Sequence, residues 1–187
     1  MDYIQFYDRE SYIFSTVRKR FETKKYLSAF DFFCIIIWKA NRAKSRIATK
    51  ILSPDKPANG SLEDRIQSLT EKLFEIPLSK DKMRYLIERW EFRLPMASAI
   101  LTVLYPEEFT VYDKRVCDQL KELTGETRHS KVSGLSDFEA IWEGYQRFKK
   151  AVEETAPKEL SLRDKDRYFW GKSICEQLTK DIQRGFS

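Results

Sequence analysis

Histidine is almost missing from this 187-residue chain: His129 is the single one. It lies in a polar loop without neighbouring ligand types, which argues against a histidine-built metal centre. Cysteine is scarce too. Cys34, Cys117 and Cys175 are odd in number and widely spaced, so buried thiols in a reducing compartment are expected rather than disulfides or a thiolate cluster. Long hydrophobic runs are absent. The longest, Phe32 to Trp38, is far short of the ~20 residues that cross a bilayer. Met1-Asp2-Tyr3 has neither the basic start nor the apolar segment of a signal peptide. These absences point to a cytoplasmic chain with no membrane partner. Neither sign of charge dominates: 34 Lys plus Arg against 29 Asp plus Glu leave a formal +5. That balance permits nucleic-acid binding without demanding it. Glycine and proline number six each and fall mostly between periodic segments.

What is present reads as helix almost throughout. With 42% hydrophobic and 34% charged residues the chain is globular, and an all-α fold in one domain over residues 1–187 is expected. The pattern predicts a first helix over Arg9 to Tyr26. Ser28 with Asp31 then forms a capping-box start for a second, whose core face is read as Phe30, Phe33, Cys34 and Ile37. Ser53 to Gly60 is the clearest break, an exposed loop or hinge between an N-terminal helical pair and the rest. Ser61 with Asp64 opens a third helix; a fourth spans Lys80 to Trp90 and a fifth Pro95 to Leu104, with Pro95 in its first turn. Phe109 to Tyr112 is extended but too short for a sheet. A sixth helix runs from Asp113 to near Gly125, followed by a polar, mobile loop to Gly134. Ser136 with Glu139 opens a seventh, carrying the stripe Ile141, Tyr145, Phe148 and Val152. Ser161 with Asp164 opens the last, with Tyr168, Cys175, Leu178 and Ile182 as its apolar face.

Two stretches carry the functional argument. Leu94-Pro95-Met96-Ala97-Ser98-Ala99-Ile100-Leu101 is a helix whose small residues admit close approach of another backbone. Phe109-Thr110-Val111-Tyr112-Asp113-Lys114-Arg115-Val116 then delivers one aspartate to a helix start. On its own Asp113 reads as an N-cap. The same position also lets a carboxylate face a cleft, where it stabilises a cationic sugar and orients water.

Together these stretches resemble the core of the helix-hairpin-helix (HhH-GPD) base-excision DNA glycosylases. The likeness covers about Tyr85 to Leu120. It implies a degenerate helix-hairpin-helix core within a multi-helix glycosylase-like fold, DNA as partner, no cofactor, and Asp113 as the catalytic residue. Two departures qualify it. The family's hairpin glycines, which bring backbone amides to a phosphate, fall here on Glu91 and Arg93 in Trp90-Glu91-Phe92-Arg93. The Schiff-base lysine of bifunctional members falls on Pro95, so lyase chemistry is not expected and monofunctional hydrolysis is. A broader likeness carries Ile37 to Lys44, Ala97 to Leu101, Tyr112 to Arg115 and Leu162 to Trp170. It matches an uncharacterised bacterial family related to these glycosylases and brings no activity with it.

Basic and aromatic residues supply the remaining candidates. Lys39, Arg42 and Arg46 stand at i, i+3 and i+7, with Lys50 a turn further on. On one continuous helix they make a cationic stripe, either a track for a nucleic-acid backbone or a solvated helix end. Trp38 beside it is a candidate for stacking on a base. Arg18, Lys19, Arg20, Lys24 and Lys25 wrap more than one face and read as solubilising charge. Arg115 is placed to bind phosphate or pair with Asp113, and Tyr112 to contact a base. Trp142, Tyr145, Tyr168 and Trp170 read as core. Three functional classes remain open. They are a DNA-binding glycosylase, a non-catalytic module for a protein or small ligand, and an enzyme of free nucleosides or nucleotides with a closed pocket around Asp113.

Overall fold

A computed structural model of the chain describes residues 3–186, so Met1 and Asp2 of the opening tripeptide lie outside it. Every regular element among the described residues is helical and none is a strand. No helix among them is long and apolar enough to cross a membrane. The chain separates into two units, one running to Tyr105 and the other starting at Pro106.

In the first unit, α1 (Arg9–Ser11), a π-helical stretch (Tyr12–Val17) and α2 (Arg18–Lys24) follow without a break, and left-handed Lys25 at φ 70° ends the run. Ser28 caps α3 (Ala29–Ala40), its hydroxyl accepting from the Asp31 amide at 3.2 Å. The reciprocal half of the expected capping box is not made. Asp31 is buried and accepts instead from Tyr12 Oη at 2.9 Å and Arg20 Nη1 at 2.8 Å. Burial and the Asp31 charge push the Tyr12 phenol up to about 12. This cluster fixes the roll of α3. Phe32, Ile35 and Ile36 face the core, whereas Phe30 is 50% exposed and Phe33, Cys34 and Ile37 are only half-buried. The expected core face is thus corrected. A run that is apolar on every side carries no periodic signal to choose between faces.

After a 3-10 turn at Asn41–Ala43 come α4 (Lys44–Ile51) and α5 (Leu62–Glu75), the latter opened by the full Ser61/Asp64 capping box. The intervening loop at Ser53 to Gly60 is pinned from below. Arg65 of α5 donates to the carbonyls of Ile51 at 2.9 Å, Ser53 at 2.8 Å and Gly60 at 3.3 Å. Next come α6 (Ser79–Arg84), a π-helical turn (Tyr85–Arg89) and α7 (Leu94–Leu104). All of α7 except Pro95 is buried. A helix apolar all round has no solvent face, and here α2, α3 and α6 pack about it.

The second unit contains α8 (Lys114–Thr124), a 3-10 stretch (Arg128–Gly134), α9 (Phe138–Thr155) and α10 (Leu162–Gln183). Gly125, left-handed at φ 73°, closes α8. The stretch after it forms a 3-10 helix with His129 and Val132 buried, where its polarity suggests a loop. Asp137 rather than Ser136 caps α9, accepting from the Ala140 amide at 2.8 Å. The stripe Ile141, Tyr145, Phe148 and Val152 is buried, as its spacing predicts. The α10 face is the opposite case. Asp166 and Phe169 are buried, while Tyr168, Trp170, Cys175, Leu178 and Ile182 are exposed. Beyond Phe169 the helix meets α8 through polar side chains, Gln177 to Arg115 and Glu176 to Gln119, and of its apolar residues there only Ile174 is half-buried among those described.

A groove headed by Asp113

The segment from Phe109 to Tyr112 runs extended through the core of the second unit, with no neighbouring strand to bond its peptides. Buried backbone groups need partners, and two side chains supply them. Tyr145 Oη donates to the Thr110 carbonyl at 2.9 Å and accepts from the Thr110 amide at 3.0 Å. Asp166 Oδ2 accepts from Thr110 Oγ1 at 3.1 Å and from the Val111 amide at 3.2 Å, while its Oδ1 takes a bond from Arg163. Ring packing completes the seat: Phe109 on Tyr145 at 6.4 Å and Tyr112 on Phe148 at 5.0 Å.

That seat presents Asp113. It is the N-cap of α8, half-buried, with Oδ1 accepting from the Arg115 amide at 2.9 Å. Such a cap contributes ~1 kcal/mol, and the helix N-terminus favours its charge. Asp113 also stands on the wall of a groove of about 600 Å³ between α8 and α10. Arg115 lines the same groove, but its guanidinium donates to Gln177 Oε1 at 2.9 Å rather than pairing with the Asp113 carboxylate at the helix start. Gln119 Nε2 donates to Glu176 Oε2 at 2.7 Å and Glu122 Oε2 at 3.3 Å. The Gln119 bond and the nearby Lys172 ammonium hold Glu176 below the usual carboxylate range. The lining is mixed: Lys114, Arg115, Lys180 and Arg184 against Asp113, Asp118, Glu122, Glu176 and Asp181. Among the described residues no group of three or more His, Cys, Asp or Glu is disposed to hold a metal ion.

Tyr112 does not reach this groove. It is 3% exposed, its hydroxyl donates to the His129 carbonyl, and burial pushes its phenol well above the ordinary range. Its expected place at a cleft mouth is corrected, because its ring is committed to the core against Phe148.

Trp38, Lys39, Arg42 and Arg46 belong to the first unit. Trp38 is half-buried and edge-on to Phe14 at 5.5 Å. The single cationic helix expected here does not persist. Ala40, at φ −160° and ψ 86°, ends α3, so Lys39 closes one helix, Arg42 rides a 3-10 turn and Arg46 belongs to α4. Arg42 and Arg46 are exposed. Lys50 turns to Glu91, donating to its Oε2 at 3.2 Å and to its carbonyl at 3.0 Å. In the basic cluster upstream, Arg18 pairs with Glu22 at 2.8 Å and Arg20 with Asp31, so part of that charge is structural.

The turn between the π-helical stretch and α7 has a further feature. Glu91 is left-handed at φ 53°, and the Phe92 amide closes the turn on the Leu86 carbonyl at 3.0 Å. Its carboxylate meets Lys56 Nζ at 2.6 Å, and Lys56 also bonds Asp55 at 2.7 Å. Burial lowers the affinity of Lys56 for its proton, but these two carboxylates outweigh it and hold the ammonium above its ordinary range.

Sequence reasoning missed the α10 side of the groove. The signal was present as polar residues repeating with helical period, Lys114, Asp118 and Glu122 on α8 and Ser173, Gln177 and Lys180 on α10. Comparison with protein-family models, with curated proteins and with solved structures gives no match to this chain.

Proposed function

We propose that this chain is a glycosylase-like, DNA-binding protein that hydrolyses the N-glycosidic bond of a modified base with Asp113 as its reactive carboxylate. The observation that carries the reading is the presentation of Asp113. A buried frame of Tyr145, Thr110 and Asp166 holds it at the head of α8, on the wall of a groove. In base excision the C–N bond breaks with its electron pair leaving on the base, and the sugar becomes oxocarbenium-like. A fixed carboxylate stabilises that cation and orients the water that adds to it.

The hairpin turn lends support. Glu91, which stands where the resembled family carries a glycine, has the left-handed backbone that glycine favours. Lys50 and Lys56 offset its carboxylate, so its charge is not left bare to repel a phosphate. Pro95, in the first turn of α7, stands where bifunctional members carry their lysine. The reading is therefore monofunctional.

One observation favours a second reading. The mixed lining of the groove is not a basic track, and a polyanion gains little from it. A non-catalytic groove for a protein or small ligand of mixed charge fits that lining.

Incubation with DNA carrying modified bases decides between them. Asparagine caps a helix as well as aspartate, so Asp113→Asn keeps the fold, abolishes base release and leaves DNA binding intact. Release that survives the substitution overturns the role of Asp113. Absence of DNA binding at low salt transfers the case to the second reading.

A further inference from the structure

Between α8 and α9 lies a titratable group that the groove does not use. Arg128–Gly134 is a 3-10 stretch of seven residues, longer than that geometry usually sustains unaided. Side-chain contacts hold it to the rest of its unit. Val132 lies so close over Gly144 that a Cβ there would stand 2.7 Å from Val132 Cγ2. The His129 imidazole, 6% exposed as a residue, packs on Phe148 with centroids 6.2 Å apart. The Tyr112 hydroxyl donates to the His129 carbonyl. His129 is thus fixed by its ring to α9 and by its backbone to the segment that leads to Asp113.

A neutral imidazole tolerates that apolar bed, whereas an imidazolium does not. Burial is the largest influence and holds the ring below its ordinary 6.5. The charged groups that face it are Glu126 just upstream, Arg128 beside it and Arg147 from α9. Glu126 favours the proton but is itself bonded by Arg128 at 3.2 Å, and both arginines oppose it. From the extended segment comes the Tyr112 phenol, with the Cys117 thiol of α8 against it.

We propose that Arg128–Gly134 is an acid-released latch, caught at neutral pH by the neutral ring of His129 and freed when that ring takes up a proton. The closed ring is the weaker base, so the released segment binds the proton more readily. The latch is at full strength above about pH 6.5. Below that it weakens by up to about tenfold per pH unit, until the closed ring also titrates. Release uncovers Phe148 and removes the carbonyl that holds Tyr112. The device stands whether or not Asp113 is catalytic.

Amide hydrogen exchange on the intact chain tests it, with rates corrected for the intrinsic pH dependence. Between about pH 7.5 and about pH 5.5, protection of residues 128–134 is expected to fall, by at most about tenfold, while that of Tyr145 to Val152 holds. His129→Phe, which stays apolar at both values, removes the fall. Unchanged protection in the wild-type chain overturns the latch, and so does a fall that survives His129→Phe. Where that variant does not fold, the ring resonances of His129 decide. A ring midpoint below 6.5, with protection falling between about pH 6.5 and that midpoint and levelling off below it, supports the latch, and any other result overturns it.

Discussion

The hydroxyl of Tyr145 closes both ends of one residue, donating to the Thr110 carbonyl at 2.9 Å and accepting from the Thr110 amide at 3.0 Å. Neither residue has exposed surface, so water offers those groups no substitute. Tyr145→Phe keeps the ring and removes both bonds. Leaving a buried peptide unpaired costs about 1–3 kcal/mol, and urea unfolding of the intact chain measures it. A loss below about 0.5 kcal/mol would show that Thr110 finds other partners. Base release, where present, falls as well, because the segment that presents Asp113 slackens.

Gly144 reverses an ordinary rule. Alanine for glycine inside a helix normally gains about 1 kcal/mol. On α9, however, the added methyl would meet Val132 Cγ2 at 2.7 Å and Cγ1 at 2.8 Å. Gly144→Ala is expected to destabilise the chain by about 1–3 kcal/mol. Val132→Ala in the same chain restores most of that, since the two sites share one contact. Thermal melts of the two single variants and the double supply the cycle. Additive losses would place the cost elsewhere.

The turn at Glu91 sets strain against charge. A left-handed non-glycine residue costs about 1–3 kcal/mol, yet Glu91 holds Lys56, whose side chain is 3% exposed. Glu91→Gly relieves the backbone but leaves the Lys56 ammonium with Asp55 alone, and a net loss of stability is expected. With Lys56→Met already present the sign inverts, and Glu91→Gly gains about 1 kcal/mol. Denaturant midpoints of the four chains check this. The same sign in both backgrounds would refute the compensation.

The sequence was most legible where physics is local. The Ser61/Asp64 box, the Gly125 stop, the Ser161 cap and the aspartate cap at Asp113 follow from short-range hydrogen bonding and appear as read. The α9 stripe was legible because its other faces are polar. Long-range side-chain partners were not. Nothing near Asp31 in the chain shows that it serves Tyr12 and Arg20 rather than its own cap, yet that bond sets the roll of α3. Nothing near Thr110 names Tyr145 or Asp166. The C-terminal helix misled because its apolar residues keep helical spacing while facing outward. At the candidate site the carboxylate was visible from the sequence. The groove around it was not, since α10 supplies half of its wall.

The proposed DNA contact divides the basic residues of the first unit. Arg42 and Arg46 are exposed, on either side of the junction between a 3-10 turn and α4. Lys50 is committed to Glu91. Each phosphate contact contributes about 0.9 to the slope of log affinity against log salt. Arg42→Ala with Arg46→Ala is therefore expected to weaken binding at low salt and to flatten that slope by about 1.8, while Lys50→Ala leaves the slope unchanged. Titration against labelled duplex at several salt concentrations reads both. A flattened slope for Lys50→Ala would mean that its pairing with Glu91 opens on binding. An unchanged slope for the double variant would move the interface away from these arginines. The mixed lining of the Asp113 groove provides no alternative basic track, so that second result would count against a DNA partner.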